Sequence, residues 1–160
     1  MTGIVEGQEK ASIVEAAQMW NKLNARYTTM ELTYLLRGFV RDTDFKAVIA
    51  KGISALEKQA AELEAMLRKY AVAPMPAKPP IEKYAIRPLD GITDRYTFRR
   101  IFAGIQSFLP IHELAFQQSR TPQIRKKFKE LLAEEIDIYD AFFMYGQLKG
   151  WIARPPSLNG

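Results

Sequence analysis

Apolar side chains recur along this chain at alternating steps of three and four residues, the spacing of helices that pack in a bundle. The pattern predicts four helices, over residues 13–40, 43–71, 94–118 and 122–149. Ser12 and Glu15 form a predicted capping box before the first helix, and Thr121-Pro122 is a typical start for the fourth. Only short turns separate the first helix from the second and the third from the fourth, which predicts two antiparallel hairpins.

Residues 72–93 differ in composition, because they hold most of the chain's nine prolines and therefore cannot continue a helix. About twenty extended residues at about 3 Å each can cross the ~40 Å length of a bundle. The segment is therefore predicted to be a crossover that lets the third helix begin where the second began. The predicted fold is a single all-α domain, a ferritin-like antiparallel four-helix bundle built from two hairpins.

Several polar residues fall on the predicted inward faces. The inward face of the first helix is predicted to comprise Ile13, Ala17, Trp20, Asn24, Tyr27, Glu31, Tyr34 and Gly38. Polar positions also occur at Gln59, His112 and Glu135 on the other three helices. We expect Asn24, Glu31, Gln59, His112 and Glu135 to form a hydrogen-bonded polar layer that fixes the register of the helices.

Ferritin-like di-metal sites take one glutamate from each of two helices and a Glu-x-x-His pair from each of the other two. Here the residue three positions after Glu135 is Ile138, and His112 is the single histidine. The ordinary ligand set cannot be assembled, so no cofactor is expected. A less favoured alternative is an irregular metal site of an oxidase-type protein, built from Glu31, His112 and Glu135. A pair of carboxylates sharing a proton for acid–base chemistry is less favoured still.

Composition and charge narrow the class of protein. The chain has no cysteine, which excludes disulfides and thiolate metal sites. No apolar run reaches the ~18 residues of a membrane span, and the N-terminus does not resemble a signal peptide, so we expect a soluble protein made in the cytoplasm. The net charge of +5 permits anionic partners. One tight basic cluster occurs, comprising Arg125, Lys126, Lys127 and Lys129. A solvated helix face explains it better than nucleic-acid binding does.

Apolar groups near the C-terminus do not fit the helix seams. Phe143 and Met144 lie off the inward face of the fourth helix, and Trp151 and Arg154 follow its end. Either the tail folds back over the bundle or these residues contact another subunit. They are therefore the interface candidates, and a homodimer is one of the two expectations.

Two stretches carry a resemblance to a known family. LNARYTTMELTYLL and the ending EEIDIYDAFFMYGQLKGWIARPP, with the Pro-rich crossover between them, resemble a bacterial family of ferritin-like bundles named as spore coat proteins and related to the coat F group. The most specific part is Leu148-Lys149-Gly150-Trp151 followed by Arg154-Pro155-Pro156. The resemblance implies a non-enzymatic structural or interaction protein of endospore-forming bacteria, deposited on the spore with other coat proteins. It carries no catalytic residues.

Overall fold

Four long α-helices make up most of the chain. The computed structural model describes residues 9–73 and 87–158, and its helices are α1 (Ile13–Phe39), α2 (Thr43–Lys69), α3 (Asp94–Gln118) and α4 (Pro122–Leu148). All four begin at the predicted residues, and within the described ranges there is no strand. The predicted all-α, ferritin-like class is confirmed. None of the described helices combines the length and apolarity that a membrane crossing requires.

The helices form two antiparallel hairpins that pack against each other. The start of α1 lies beside the end of α3, where Gln18 donates a hydrogen bond to Gln118 (2.7 Å). Along the facing pair of helices, Lys58 of α2 contacts Glu134 of α4 (3.3 Å). In this arrangement α2 ends and α3 begins at opposite ends of the bundle, which is the geometry that the predicted crossover requires. Residues 74–86 of that crossover lie outside the described residues.

A buried glutamate at the start of α1 fixes the turn between α3 and α4. Glu15 completes the predicted capping box with Ser12, and its Oε1 accepts hydrogen bonds from the backbone N–H groups of Arg120 and Thr121, both at 2.7 Å. Its Oε2 also accepts from the hydroxyl of Thr121 (2.8 Å). Burial opposes the ionisation of Glu15, but the hydrogen bonds from Ser12, Thr121 and Arg120 outweigh it and hold its pKa at about 2.

An aspartate at the start of α3 acts in the same way on the turn between α1 and α2. The two carboxylate oxygens of Asp94 accept from the backbone N–H groups of Arg41 (2.9 Å) and Asp42 (2.8 Å). Asp42 in turn caps α2 through the N–H groups of Asp44 and Phe45. Each hairpin therefore binds two consecutive N–H groups in the turn of the other. We call these two sets of contacts the reciprocal carboxylate clamps.

Two apolar clusters fill the bundle. The Phe128 cluster lies toward the α3–α4 turn and includes Met19, Leu23, Leu63, Phe128 and Leu131. The Phe98 cluster lies toward the α1–α2 turn and includes Val40, Phe45, Ile49, Phe98 and Phe142.

The C-terminal tail folds back onto the Phe98 cluster. Trp151 packs against Phe45 and Phe98, with ring centroids 5.2 and 5.5 Å apart. The fold-back begins at Gly150, whose φ of +69° suits glycine, and the N–H of Trp151 bonds the carbonyl of Gly146 (2.8 Å). Gly146 is itself needed for close packing, because a Cβ there would lie 2.3 Å from the Phe98 ring. Of the two alternatives for the tail, Trp151 follows the first and covers its own bundle.

The predicted inward face of α1 is wrong for most of its eight residues, of which Tyr27 alone is buried. Ile13 is 89% exposed, and Asn24 and Glu31 are also exposed. The buried residues of α1 are Glu15, Met19, Lys22, Leu23, Arg26, Tyr27, Met30 and Thr33. Three of these buried residues carry charge. A prediction that places charged side chains in solvent therefore turns α1 about its axis, by about one residue position or 100°, from its observed orientation.

Replacing Glu15 with Gln should lower the free energy of unfolding at pH 7 by about 2 kcal/mol, because the buried N–H groups lose a charged acceptor. The folded-state pKa of Glu15 lies below its ordinary value of 4.5, so this stabilisation is complete above pH 4.5 and is lost as the pH falls toward 2. Urea denaturation at several pH values measures it. The exposed Glu113→Gln is the control, and an equal effect of both substitutions at pH 7 would contradict the clamp.

Candidate functional site

Four ionisable side chains meet in the interior of the bundle. Lys22 and Arg26 lie one turn apart on α1, His112 lies on α3 and Glu135 lies on α4. Each of them is at most 4% exposed. Charged groups are rarely buried so completely unless they are paired, because their desolvation costs several kcal/mol each. We call these four residues the buried ion network.

Glu135 is the acceptor at the centre of the network. Its Oε2 lies 2.9 Å from Nη2 of Arg26 and 3.2 Å from Nε2 of His112. The guanidinium of Arg26 stacks 4.7 Å from the ring centroid of Phe108, which covers its other face. Burial opposes the ionisation of Glu135, but the hydrogen bond from His112 and the charge of Arg26 keep its pKa below the ordinary value. Glu135 is therefore a carboxylate.

Three ionisable side chains surround the ring of His112. Burial lowers the pKa of His112 to about 4, although Glu135 opposes the shift, so the imidazole is neutral at pH 7. Its Nδ1 lies 3.0 Å from Nζ of Lys22, and its Nε2 lies 2.5 Å from Nη2 of Arg26 and 3.2 Å from Oε2 of Glu135. The guanidinium can only donate and the carboxylate can only accept, so Nε2 faces a donor and an acceptor at once, and either tautomer of the neutral ring satisfies only one of them. Arg26 also donates directly to Glu135.

Lys22 is the member of the network that titrates near neutral pH. Burial, reinforced by the positive charge of Arg26 and partly opposed by Glu135, lowers the pKa of Lys22 to about 7. Its ammonium group also donates to the carbonyl of Ile111 (3.3 Å) and lies 5.6 Å from the ring centroid of Phe128. Loss of that proton would remove a positive charge beside His112, while the neutral amine keeps two N–H groups that can donate.

The structure brings together only part of the predicted polar layer. His112 and Glu135 are in contact, as described above. Gln59 is buried, but it donates to Glu134 (2.8 Å) and does not join the network. Asn24 and Glu31 are exposed on α1, so the expectation that they belong to the layer is wrong. Their place at the centre of the bundle is taken by basic residues on the opposite side of the helix.

Sequence reasoning missed Lys22 and Arg26. Their spacing of four residues puts both on one helix face, and Met19, Leu23 and Met30 occupy that same face. The sequence did contain a sign of this network. Two basic residues interrupt an apolar face of α1, and the other helices carry a histidine and a glutamate at inward positions that could pair with them.

The residues at this site do not fit a metal ion. Among residues 9–73 and 87–158, no three His, Asp or Glu side chains converge. Arg26 and Lys22 stand next to the only His–Glu contact in the network, and two cations would repel a divalent ion. Glu31 is exposed, so the alternative set of Glu31, His112 and Glu135 does not form. The polar interior is an ion-paired network instead of a ligand set.

The remaining interface candidates differ in exposure. The ring of Phe143 is partly buried and lies 6.4 Å from that of Phe102 on α3. Met144 is 59% exposed, and Arg154 is exposed. Met144 is therefore the apolar candidate whose surface remains available for contact with another chain.

The basic cluster is partly neutralised by its neighbours. Lys127 pairs with Glu62 (3.2 Å) and Glu130 (2.7 Å). Arg125 stacks over Phe116, with its guanidinium carbon 4.1 Å from the ring centroid. Lys126 and Lys129 are exposed. This pattern matches a solvated helix face bearing local ion pairs.

Replacing Arg26 with Met should lower the free energy of unfolding by about 3 kcal/mol or more, because Glu135 is left buried without its strongest partner. The double variant Arg26→Met and Glu135→Met should be much closer to wild type, since no unpaired charge remains. Chemical denaturation of Arg26→Met, Glu135→Met and the double variant measures the coupling free energy between the two side chains. Additive losses would contradict a paired network.

The wild-type protein should gain stability from pH 7 to pH 9.5. In this range unfolded chains still hold the proton of Lys22 while the folded state has released it, so the free energy of unfolding rises by up to about 1.4 kcal/mol per pH unit. Lys22→Met should flatten that rise, and the exposed Lys51→Met should leave it unchanged. The midpoint of urea denaturation, followed against pH, measures this change in stability. The same dependence on pH in all three proteins would refute the assignment of the titration to Lys22.

Two solved structures are similar in fold to this chain. A crystal structure of a "putative spore coat protein" (BH2358) from Bacillus halodurans has 20% sequence identity and a TM-score of 0.84, over 95% of this chain and 98% of that one. A two-domain protein from Anabaena variabilis, with DJ-1/ThiJ/PfpI-like and ferritin-like domains, has 16% identity and a TM-score of 0.68. That match covers 94% of this chain and 42% of the other. The resemblance stated from the sequence is thus confirmed at the level of the fold.

No curated protein matches the chain significantly in sequence. A family model described as "Protein of unknown function (DUF3231)" matches residues 1–159. The chain therefore belongs to the DUF3231 family.

Proposed function

We propose that this chain is a non-enzymatic structural or interaction protein of the bacterial spore coat. The observation that carries the non-enzymatic part is the Arg26–Glu135 ion pair (2.9 Å) inside the bundle. Ferritin-like enzymes collect acidic and imidazole ligands in this interior. Here the guanidinium of Arg26 compensates the one carboxylate of the network, next to a neutral imidazole and the amino group of Lys22. Such a network supports register and rigidity more than chemistry.

The spore-coat part draws on the similarity to the Bacillus halodurans protein, whose name describes it as a coat protein. A coat component acts through its outer surface, and α4 exposes apolar groups near its C-terminal end. Met144 is 59% and Leu148 82% exposed. We propose that this end of α4, with Phe143 and Arg154 beside it, is where the chain self-associates or meets other coat proteins.

Localisation tests the coat assignment directly. The chain, tagged and expressed from its own promoter in its source organism, should be recovered in the alkaline-detergent extract of purified spores and be depleted from vegetative cells. A cytoplasmic protein with the same tag is the control for carry-over. Equal amounts in vegetative cytoplasm with none in the coat extract would reject the assignment.

Light scattering and metal analysis on one untagged sample test the proposed self-association and the non-enzymatic proposal. The mass should be about twice the 18.3 kDa of the chain, and Met144→Asp should reduce it to that of one chain. Ile136→Asp is the matched control, because Ile136 is also exposed on α4 but lies two turns away. Iron, manganese and zinc should be sub-stoichiometric. A monomeric wild type would refute self-association, and one bound metal per chain would refute the non-enzymatic proposal.

A further inference from the structure

A partly open cavity of about 200 Å³ lies between the four helices, toward the Phe98 cluster from the buried ion network. Its lining is mainly aliphatic and aromatic. Leu32 on α1 and Arg100 on α3 are its exposed lining residues, so its mouth lies beside them. Its walls also include Ile49 on α2, Ile105 on α3 and Ile138 on α4. Packed interiors rarely keep voids of this size, so its presence needs an explanation.

Two glycines keep the cavity open. Gly52 on α2 and Gly104 on α3 both line it, and a Cβ added at either position would meet no described atom within 4 Å. Neither glycine is therefore required for close packing, in contrast to Gly146. A glycine inside a helix costs about 1 kcal/mol relative to alanine. The chain gives up stability at two positions whose structural effect is to leave space.

The inner end of the cavity is polar. Arg26 and Glu135 line it, although each is at most 3% exposed. Within the described part of the chain, both hydrogen bonds to Glu135 end on Oε2, which leaves the lone pairs of Oε1 for a ligand. Arg26 uses only Nη2 in its contacts with Glu135 and His112. A carboxylate acceptor and a guanidinium donor thus stand next to each other at the end of an apolar pocket.

We propose that this cavity binds a small uncharged molecule with an apolar body and one hydroxyl group, of the class of alkylphenols. The hydroxyl donates to Oε1 of Glu135 and accepts from Arg26, and the apolar body fills the space beside Gly52 and Gly104. An engineered apolar cavity of 150 Å³ binds benzene, so about eight to ten non-hydrogen atoms fit here. The Arg26–Glu135 pair that lines the inner end carries no net charge, so a charged ligand would lose its hydration there without gaining a counter-ion.

The probes are 4-ethylphenol and 4-ethyltoluene, which differ only in a hydroxyl replaced by a methyl group. Calorimetric or NMR titration of the whole chain should show saturable binding of 4-ethylphenol, at least tenfold tighter than that of 4-ethyltoluene. One hydrogen bond to a charged group accounts for a difference of that size. Equal affinities would overturn the polar inner end, and absence of saturable binding by both would overturn the site.

Filling the cavity locates the binding. Gly52→Leu and Gly104→Leu should weaken the binding of 4-ethylphenol at least tenfold without lowering the melting temperature. Ala103→Leu is the matched control, because Ala103 is the exposed neighbour of Gly104, and it should bind as wild type does. If either leucine variant fails to fold, Gly104→Ala adds a single methyl group and should still weaken binding measurably. Unchanged affinity in the folded glycine variants would place the ligand elsewhere and refute the proposal.

Discussion

The structure depends on the reciprocal carboxylate clamps. Glu15 holds the N–H groups of Arg120 and Thr121, and Asp94 holds those of Arg41 and Asp42. Four-helix bundles with apolar seams can slide by a helical turn with little change in buried area. Two short, charged contacts at opposite ends of the α1–α3 pair remove that freedom, because neither hairpin can shift without leaving four backbone donors unpaired.

With the register fixed, ions on different helices can be buried together. Lys22 and Arg26 on α1 fall at the depth of His112 on α3 and Glu135 on α4, and each finds a partner there. A slip of one turn would separate the charges inside an apolar core, at a cost of several kcal/mol. The network therefore penalises the wrong registers that the clamps already disfavour. Ferritin-like topology persists here with an interior chemistry unlike a metal site.

Much of the fold follows from local signals in the sequence. Capping residues such as Ser12 and Thr121-Pro122 mark helix starts through groups only a few residues away, and prolines mark the crossover. The orientation of α1 does not follow, because it depends on which charges find partners on distant helices. Asn24 fits the inward pattern of the sequence and Arg26 does not, whereas in the structure Arg26 is buried and Asn24 is exposed. Gly52 and Gly104 resemble ordinary small seam residues, and only the packed structure reveals that the space beside them is empty.

The docking of Trp151 makes residues beyond α4 part of the Phe98 cluster. Phe45 and Phe98 precede it by more than fifty residues, so their contacts with it cannot form until all four helices have been synthesised. The first hairpin can assemble earlier, while the ribosome is still translating α4. The half of the core near the α1–α2 turn stays open until Trp151 has been made. Premature termination before Trp151 would yield four complete helices around an open aromatic cluster.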